Sequence, residues 1–186
     1  MSKNKIKNQR GVTLLEIVVA ISLFAFLVIT ITEIFQSIMK SQKNIIANQS
    51  LDENMMYIFE VMSREIRMAQ RDYEDPLDAC IASSSGRIYY ATSSILYFRN
   101  QYGECVRYFA NNKRLYIYRE DSATSTPITP NNIKIENLKF FNFGNLIENS
   151  QEMVHINMDA YIDNNRLESA KTIIQMSITS RYYITE

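Results

Sequence analysis

Between Arg10 and Thr32 the chain reads Arg-Gly-Val-Thr-Leu-Leu-Glu-Ile-Val-Val-Ala-Ile-Ser-Leu-Phe-Ala-Phe-Leu-Val-Ile-Thr-Ile-Thr, with a single acid, Glu16, and no base after Arg10. As a helix rising about 1.5 Å per residue, Val12 to Thr32 reaches about 31 Å, the thickness of a bilayer hydrocarbon core. An ionised carboxylate one turn inside such a segment costs roughly 2.5 to 3.5 kcal/mol or more, so Glu16 requires a partner. Lys3, Lys5, Lys7 and Arg10 precede it but point back toward headgroups along a helix. A cut after Gly11 would instead create an α-amine at Val12, four residues from Glu16, able to meet the carboxylate of a neighbouring copy.

Other readings explain these residues less well. A secretory signal peptide has an apolar core of about 7 to 15 residues followed by a small-x-small cleavage site; here the run is longer and no such site follows. A plain signal anchor fits the length, and the basic amino side keeps that end cytoplasmic, but it leaves Glu16 without a purpose. A buried core helix rarely lacks a polar stripe over about 20 residues.

Gly11-Val12-Thr13-Leu14-Leu15-Glu16, after a basic leader and before an unbroken apolar run, resembles the class III signal of type IV pilins and type II secretion pseudopilins. The resemblance implies prepilin-peptidase cleavage between Gly11 and Val12, methylation of the Val12 amine, and use of Glu16 to register each subunit in a filament. Val12 departs from the phenylalanine usual in the family. Major subunits commonly carry proline at the twenty-second mature position, which here is Glu33. With Phe59 to Ala69, rich in Glu and Arg, the sequence is closer to J-type minor pseudopilins and related minor pilins.

The fold this implies is α+β and type IV pilin-like. Residues 1–11 are a leader, 12–32 a transmembrane and filament-core helix, 33–72 its amphipathic continuation, and 73–186 an antiparallel β domain. Expected partners are other pilins or pseudopilins in a hetero-oligomeric filament, the prepilin peptidase, an inner-membrane assembly platform and, before assembly, the membrane. The chain would be single-pass in the cytoplasmic membrane, amino end inside and globular domain outside, and later part of a filament. The alternative is a membrane-anchored extracytoplasmic binding protein that is never assembled.

Charge bears on partners. Four of the 20 bases precede Gly11 with no acid among them, leaving 16 bases against 20 acids from Val12 onward. That balance disfavours nucleic acid. Cys80 and Cys105 fall in the part expected outside the cytoplasm, where disulfides persist; two thiols without nearby histidines make no metal site, so a structural disulfide is the preferred reading.

No Gly or Pro occurs from Val12 to Asp75, so one helix is expected to run to residue 72. Met55, Ile58, Phe59, Met62, Ile66 and Ala69 share one face, which requires a sheet to cover it. Asp72, Glu74, Asp75 and Asp78 lie in the exit loop; their spacing matches no defined calcium loop, and a solvated loop is favoured over a metal site. From Ile88 the period becomes 2. Ile95–Phe98, Val106–Phe109 and Leu115–Tyr118 read as an antiparallel meander, 122–132 as a polar crossing loop, and Ile133–Phe143, Val154–Ile162 and Thr172–Ser180 as further strands.

Chemistry is sparse. His155 is the single histidine, on an alternating strand, and no Gly-x-Ser-x-Gly turn exists to hold a nucleophile. Glycines at 11, 86, 103 and 144 build no phosphate loop. No cofactor or catalytic residue is expected. The tyrosines and phenylalanines recur at strand spacing without interleaved bases, which favours sheet packing over base stacking.

Overall fold

The computed structural model describes residues 11–72, 80, 86–144, 151–162 and 171–181. The chain divides into two compact units, Met1–Lys43 and Asn44–Glu186, with the boundary inside helix α1, Leu14–Arg67. In the first unit the large apolar side chains of the helix are exposed all the way round, from Leu14 at 81% and Phe24 at 68% to Phe35 at 62%. A helix of this kind has no covered face, and in water nothing offsets the exposed area.

In the second unit the helix changes character because its apolar residues fall into register. Leu51, Met55, Ile58, Met62 and Ile66 recur every three or four residues and are buried. Fully burying such a side chain contributes roughly 1.5–3 kcal/mol. They form one core with Leu96, Phe98, Val106, Tyr108 and Leu115 of one sheet and Ile135, Phe140, Val154, Ile156 and Met158 of another. The expected face from Met55 to Ala69 is therefore covered, with Phe59 half-buried at its margin.

The first sheet is an antiparallel meander of five strands in chain order: β1 Tyr89–Ala91, β2 Ile95–Arg99, β3 Cys105–Asn111, β4 Arg114–Arg119 and β5 Thr124–Pro127. The β3–β4 hairpin turns on Asn112 and Lys113, both at positive φ (48° and 58°), which is the two-residue geometry whose twist suits the flanking strands. The second sheet, also antiparallel, has the order β6 Ile133–Phe143, β7 Met153–Ile162, β8 Lys171–Thr179. Along β7 the residues Val154, Ile156, Met158, Ala160 and Ile162 are buried, as alternation requires.

Three expectations are corrected. The helix ends at Arg67, not 72. No breaker stops it; distant strands claim its backbone. Gln70 N–H donates to Arg99 O at 2.9 Å and Asp72 N–H to Arg87 O at 2.7 Å. The carbonyls left over at the helix end are also taken: Ile66 O by the Tyr89 hydroxyl at 2.6 Å and Arg67 O by Arg181 N–H at 2.9 Å. Second, part of the polar stretch 122–132 is strand β5, paired to β4 with Ile117 opposite Thr126. Backbone pairing needs no apolar side chain, so composition hides it. Third, β6 contains a bulge between Glu136 and Lys139, with Asn137 at φ 52°. The extra residue moves the inward set from Ile133 and Ile135 to Leu138 and Phe140. Asp159, out of phase with the inward residues of β7, is nevertheless 8% exposed, accepting from Asn137 Nδ2 at 2.8 Å beside the bulge.

Candidate functional site

The helix begins where Thr13 makes it begin. Thr13 Oγ1 accepts from the Glu16 N–H at 3.3 Å, while its carbonyl accepts from Glu16 at 3.1 Å and Ile17 at 3.3 Å. Thr13 is thus the amino-terminal cap and Glu16 stands three residues on, the spacing of a capping box. Such a cap stabilises a helix by about 0.5–2 kcal/mol. A carboxylate in the first turn also meets the positive end of the helix dipole, worth about 0.3–1 kcal/mol. Sequence reasoning treated Glu16 as an intramembrane acid that registers subunits and passed over its place in the first turn of the helix; the signal for that local role was Thr13 itself.

This start leaves Gly11 and Val12 outside the helix. Val12 is 65% exposed, and a Cβ built on Gly11 would meet nothing within 4 Å. Among the described residues no packing calls for glycine at position 11. Farther along, the hydroxyls satisfy themselves against their own helix: Ser22 donates to Val18 O at 2.8 Å, Thr30 to Leu27 O at 2.9 Å and Thr32 to Val28 O at 2.7 Å. Among the described residues no side chain meets the Glu16 carboxylate, which makes it the unanswered polar group of an otherwise self-sufficient segment.

The other sequence candidates fall elsewhere. Cys80 and Cys105 form a disulfide with Cα atoms 5.4 Å apart, fastening the chain after the helix to the start of β3. Of the acidic stretch, Glu74, Asp75 and Asp78 lie outside the described residues. Asp72 is no solvated loop residue: it is 5% exposed and bonded to Arg99 and to the Cys80 N–H. His155 is half-buried, its Nδ1 2.9 Å from Ser177 Oγ and its ring beside Phe141. A base does interleave the aromatic rows: Arg107, opposite Tyr97 and Tyr118, stacks 4.0 Å over the Tyr118 ring. Cross-strand register, invisible in linear spacing, put it there.

Sequence reasoning also missed the polar tie between helix and first sheet. Glu65 accepts from Arg119 of β4 and from the Tyr108 hydroxyl of β3. Burial first, then the Glu65 charge, pushes the Tyr108 phenol well above its ordinary range.

A capped, bare apolar helix continuing into a helix-on-antiparallel-sheet unit defines a pilin-like α+β chain. In particular, residues 6–32 match the family model described as the prokaryotic N-terminal methylation motif. The motif and the architecture together support a type IV pilin-like protein. No curated protein and no solved structure matches the chain.

Proposed function

We propose that the chain is a minor subunit of a type IV pilus or type II secretion pseudopilus, acting in filament initiation or at the tip. Its precursor sits once in the cytoplasmic membrane with the sheet unit outside. The prepilin peptidase cuts between Gly11 and Val12, and the Val12 amine is methylated. On an assembly platform, helices of neighbouring pilins or pseudopilins then replace lipid around Val12 to Thr32.

One observation carries this reading: every hydroxyl of the apolar segment is answered within its own helix, and among the described residues the Glu16 carboxylate is not. A carboxylate left that way costs roughly 2.5–3.5 kcal/mol in a membrane, and an ammonium on an adjacent helix end offsets it. Two further features support the proposal. Gly11 has no packing role among the described residues, which fits a requirement imposed by a peptidase. Glu33 stands where major subunits carry proline, which favours a minor one.

The experiment is mass spectrometry of the amino terminus of full-length protein made in cells that hold a prepilin peptidase. A chain starting at methylated Val12 is expected, together with loss of filament incorporation but normal cleavage for Glu16→Ala. A chain still starting at Met1, or unchanged incorporation of Glu16→Ala, overturns the proposal in favour of a tethered binding protein.

A further inference from the structure

The end of α1 and the end of β8 gather three arginines. Arg64 and Arg67 lie in the last turn of the helix, and Arg181 follows β8, held by its N–H on the Arg67 carbonyl. Arg64, Met68 and Arg181 line two adjoining depressions. One, of about 470 Å³, extends to Tyr102, and the other, of about 350 Å³, extends to Arg67 and Glu60.

Four other arginines of the sheet unit are engaged. Arg99 meets Asp72, Arg119 meets Glu65, Arg114 donates to Thr129 O and Arg107 stacks on Tyr118. Among the described residues, Arg64, Arg67 and Arg181 have no carboxylate within ion-pair distance. Glu65 borders the larger depression but is already taken by Arg119 and Tyr108. Among the described residues lining the two depressions, Glu60 alone is thus left to face three guanidinium groups, an excess that like-charge repulsion disfavours and an incoming anion relieves.

The surroundings narrow the ligand. Guanidinium forks fit carboxylates bidentately. Met68 and Tyr102 remain 39% and 77% exposed, and a thioether and a phenol ring gain nothing from a bare inorganic ion, whereas they pack well against apolar side chains. Two depressions sharing three residues also outrun the size of one anion. We propose that this cleft binds an acidic, partly apolar peptide segment of a partner protein, with carboxylates on Arg64, Arg67 and Arg181 and apolar side chains on Met68 and Tyr102. The inference is independent of the filament reading.

The test uses the full chain in detergent micelles and a fluorescent octapeptide of alternating glutamate and leucine, read by polarisation. Saturable binding is expected, with Kd raised about tenfold or more, equivalent to about 1.4 kcal/mol, in Arg64→Gln/Arg181→Gln. The charge-matched control Lys40→Gln/Lys43→Gln should leave Kd unchanged, and circular dichroism should show both variants folded. Met68→Ala should weaken the leucine peptide but not one with serine in place of leucine. No binding, an equal loss in the lysine control, an unchanged Kd in the arginine variant, or full displacement by millimolar phosphate would each overturn the proposal.

Discussion

Arg99 Nε and Nη2 both reach Asp72 Oδ1, at 3.1 and 2.9 Å, in a pair whose side chains are 7% and 4% exposed. The same carboxylate accepts the Cys80 N–H at 3.1 and 2.9 Å, and Arg99 Nη1 donates to Gly103 O. One ion pair thus joins the chain leaving α1, the edge of the disulfide and the β2–β3 turn. Two charges out of water are tolerated only when geometry and extra hydrogen bonds are this complete.

Breaking that pair by Asp72→Ala should therefore lower unfolding free energy by about 3–5 kcal/mol, because it takes the Asp72 carboxylate away from a buried guanidinium. Adding Arg99→Met should recover much of the loss. Urea unfolding of the single and double variants measures both, and a double variant as unstable as Asp72→Ala alone would refute this account.

The Cys80–Cys105 bond closes a loop over a sequence separation of 25. In the chain-entropy account, Cys80→Ser/Cys105→Ser should cost about 3–4 kcal/mol. Denaturant midpoints of the oxidised protein and this variant give the difference directly, and a reducing agent should lower the first toward the second.

Gly144 has φ 81°, and a Cβ there would lie 2.4 Å from the Gln151 carbonyl oxygen. Backbone, not a yielding side chain, is in the way. Gly144→Ala should destabilise by about 1–3 kcal/mol, seen as a lower Tm, whereas Gly103→Ala, which meets nothing within 4 Å, should lose only the cost of its own positive φ.

Alkaline behaviour follows from two buried tyrosines. Tyr89 and Tyr108 are both pushed above the ordinary phenol range, chiefly by burial, with Glu152 adding to the first and Glu65 to the second. A raised folded pKa means their contribution is complete below the unfolded value of about 10 and is lost as pH rises beyond it. Tyrosinate absorbance should show these two ionising only as the protein unfolds, and Tyr108→Phe should remove part of that transition.

At the acid end Asp159 acts in the opposite sense. Its carboxyl is held below the usual range by the Asn137 hydrogen bond and then by Lys171, 3.1 Å away. A depressed folded pKa gives stability that is present above about pH 4 and fades as pH falls through the folded value. The stability of Asp159→Asn should accordingly vary less with pH between about 5 and 2 than that of the parent protein.

Much of this was legible in the chain. Alternation over Val154 to Ile162 marked β7, and Asn111-Asn112-Lys113 between apolar runs marked a hairpin, since pleat and turn geometry act over a few residues. The helical spacing from Met55 to Ile66 announced a covered face. What escaped depends on partners far away in sequence. Helix α1 stops because strands near residues 87 and 99 take the backbone of Gln70 and Asp72. Strand β5 exists because β4 offers hydrogen bonds to any backbone beside it, and the Asn137 bulge resets the alternation of β6 in a way no local pattern announces.

The chain alone determined the apolar amino-terminal helix, its lone acid and the alternation of its strands, because periodicity and hydrophobicity are properties of neighbouring residues. Tertiary structure decided which charges are buried: Asp72 and Arg99, or Glu65 between Tyr108 and Arg119, are ordinary polar residues until packing excludes water around them and supplies their partners. Desolvation is a property of the assembled environment, so the same carboxylates that read as loop or helix surface become anchors only once the sheets close over them.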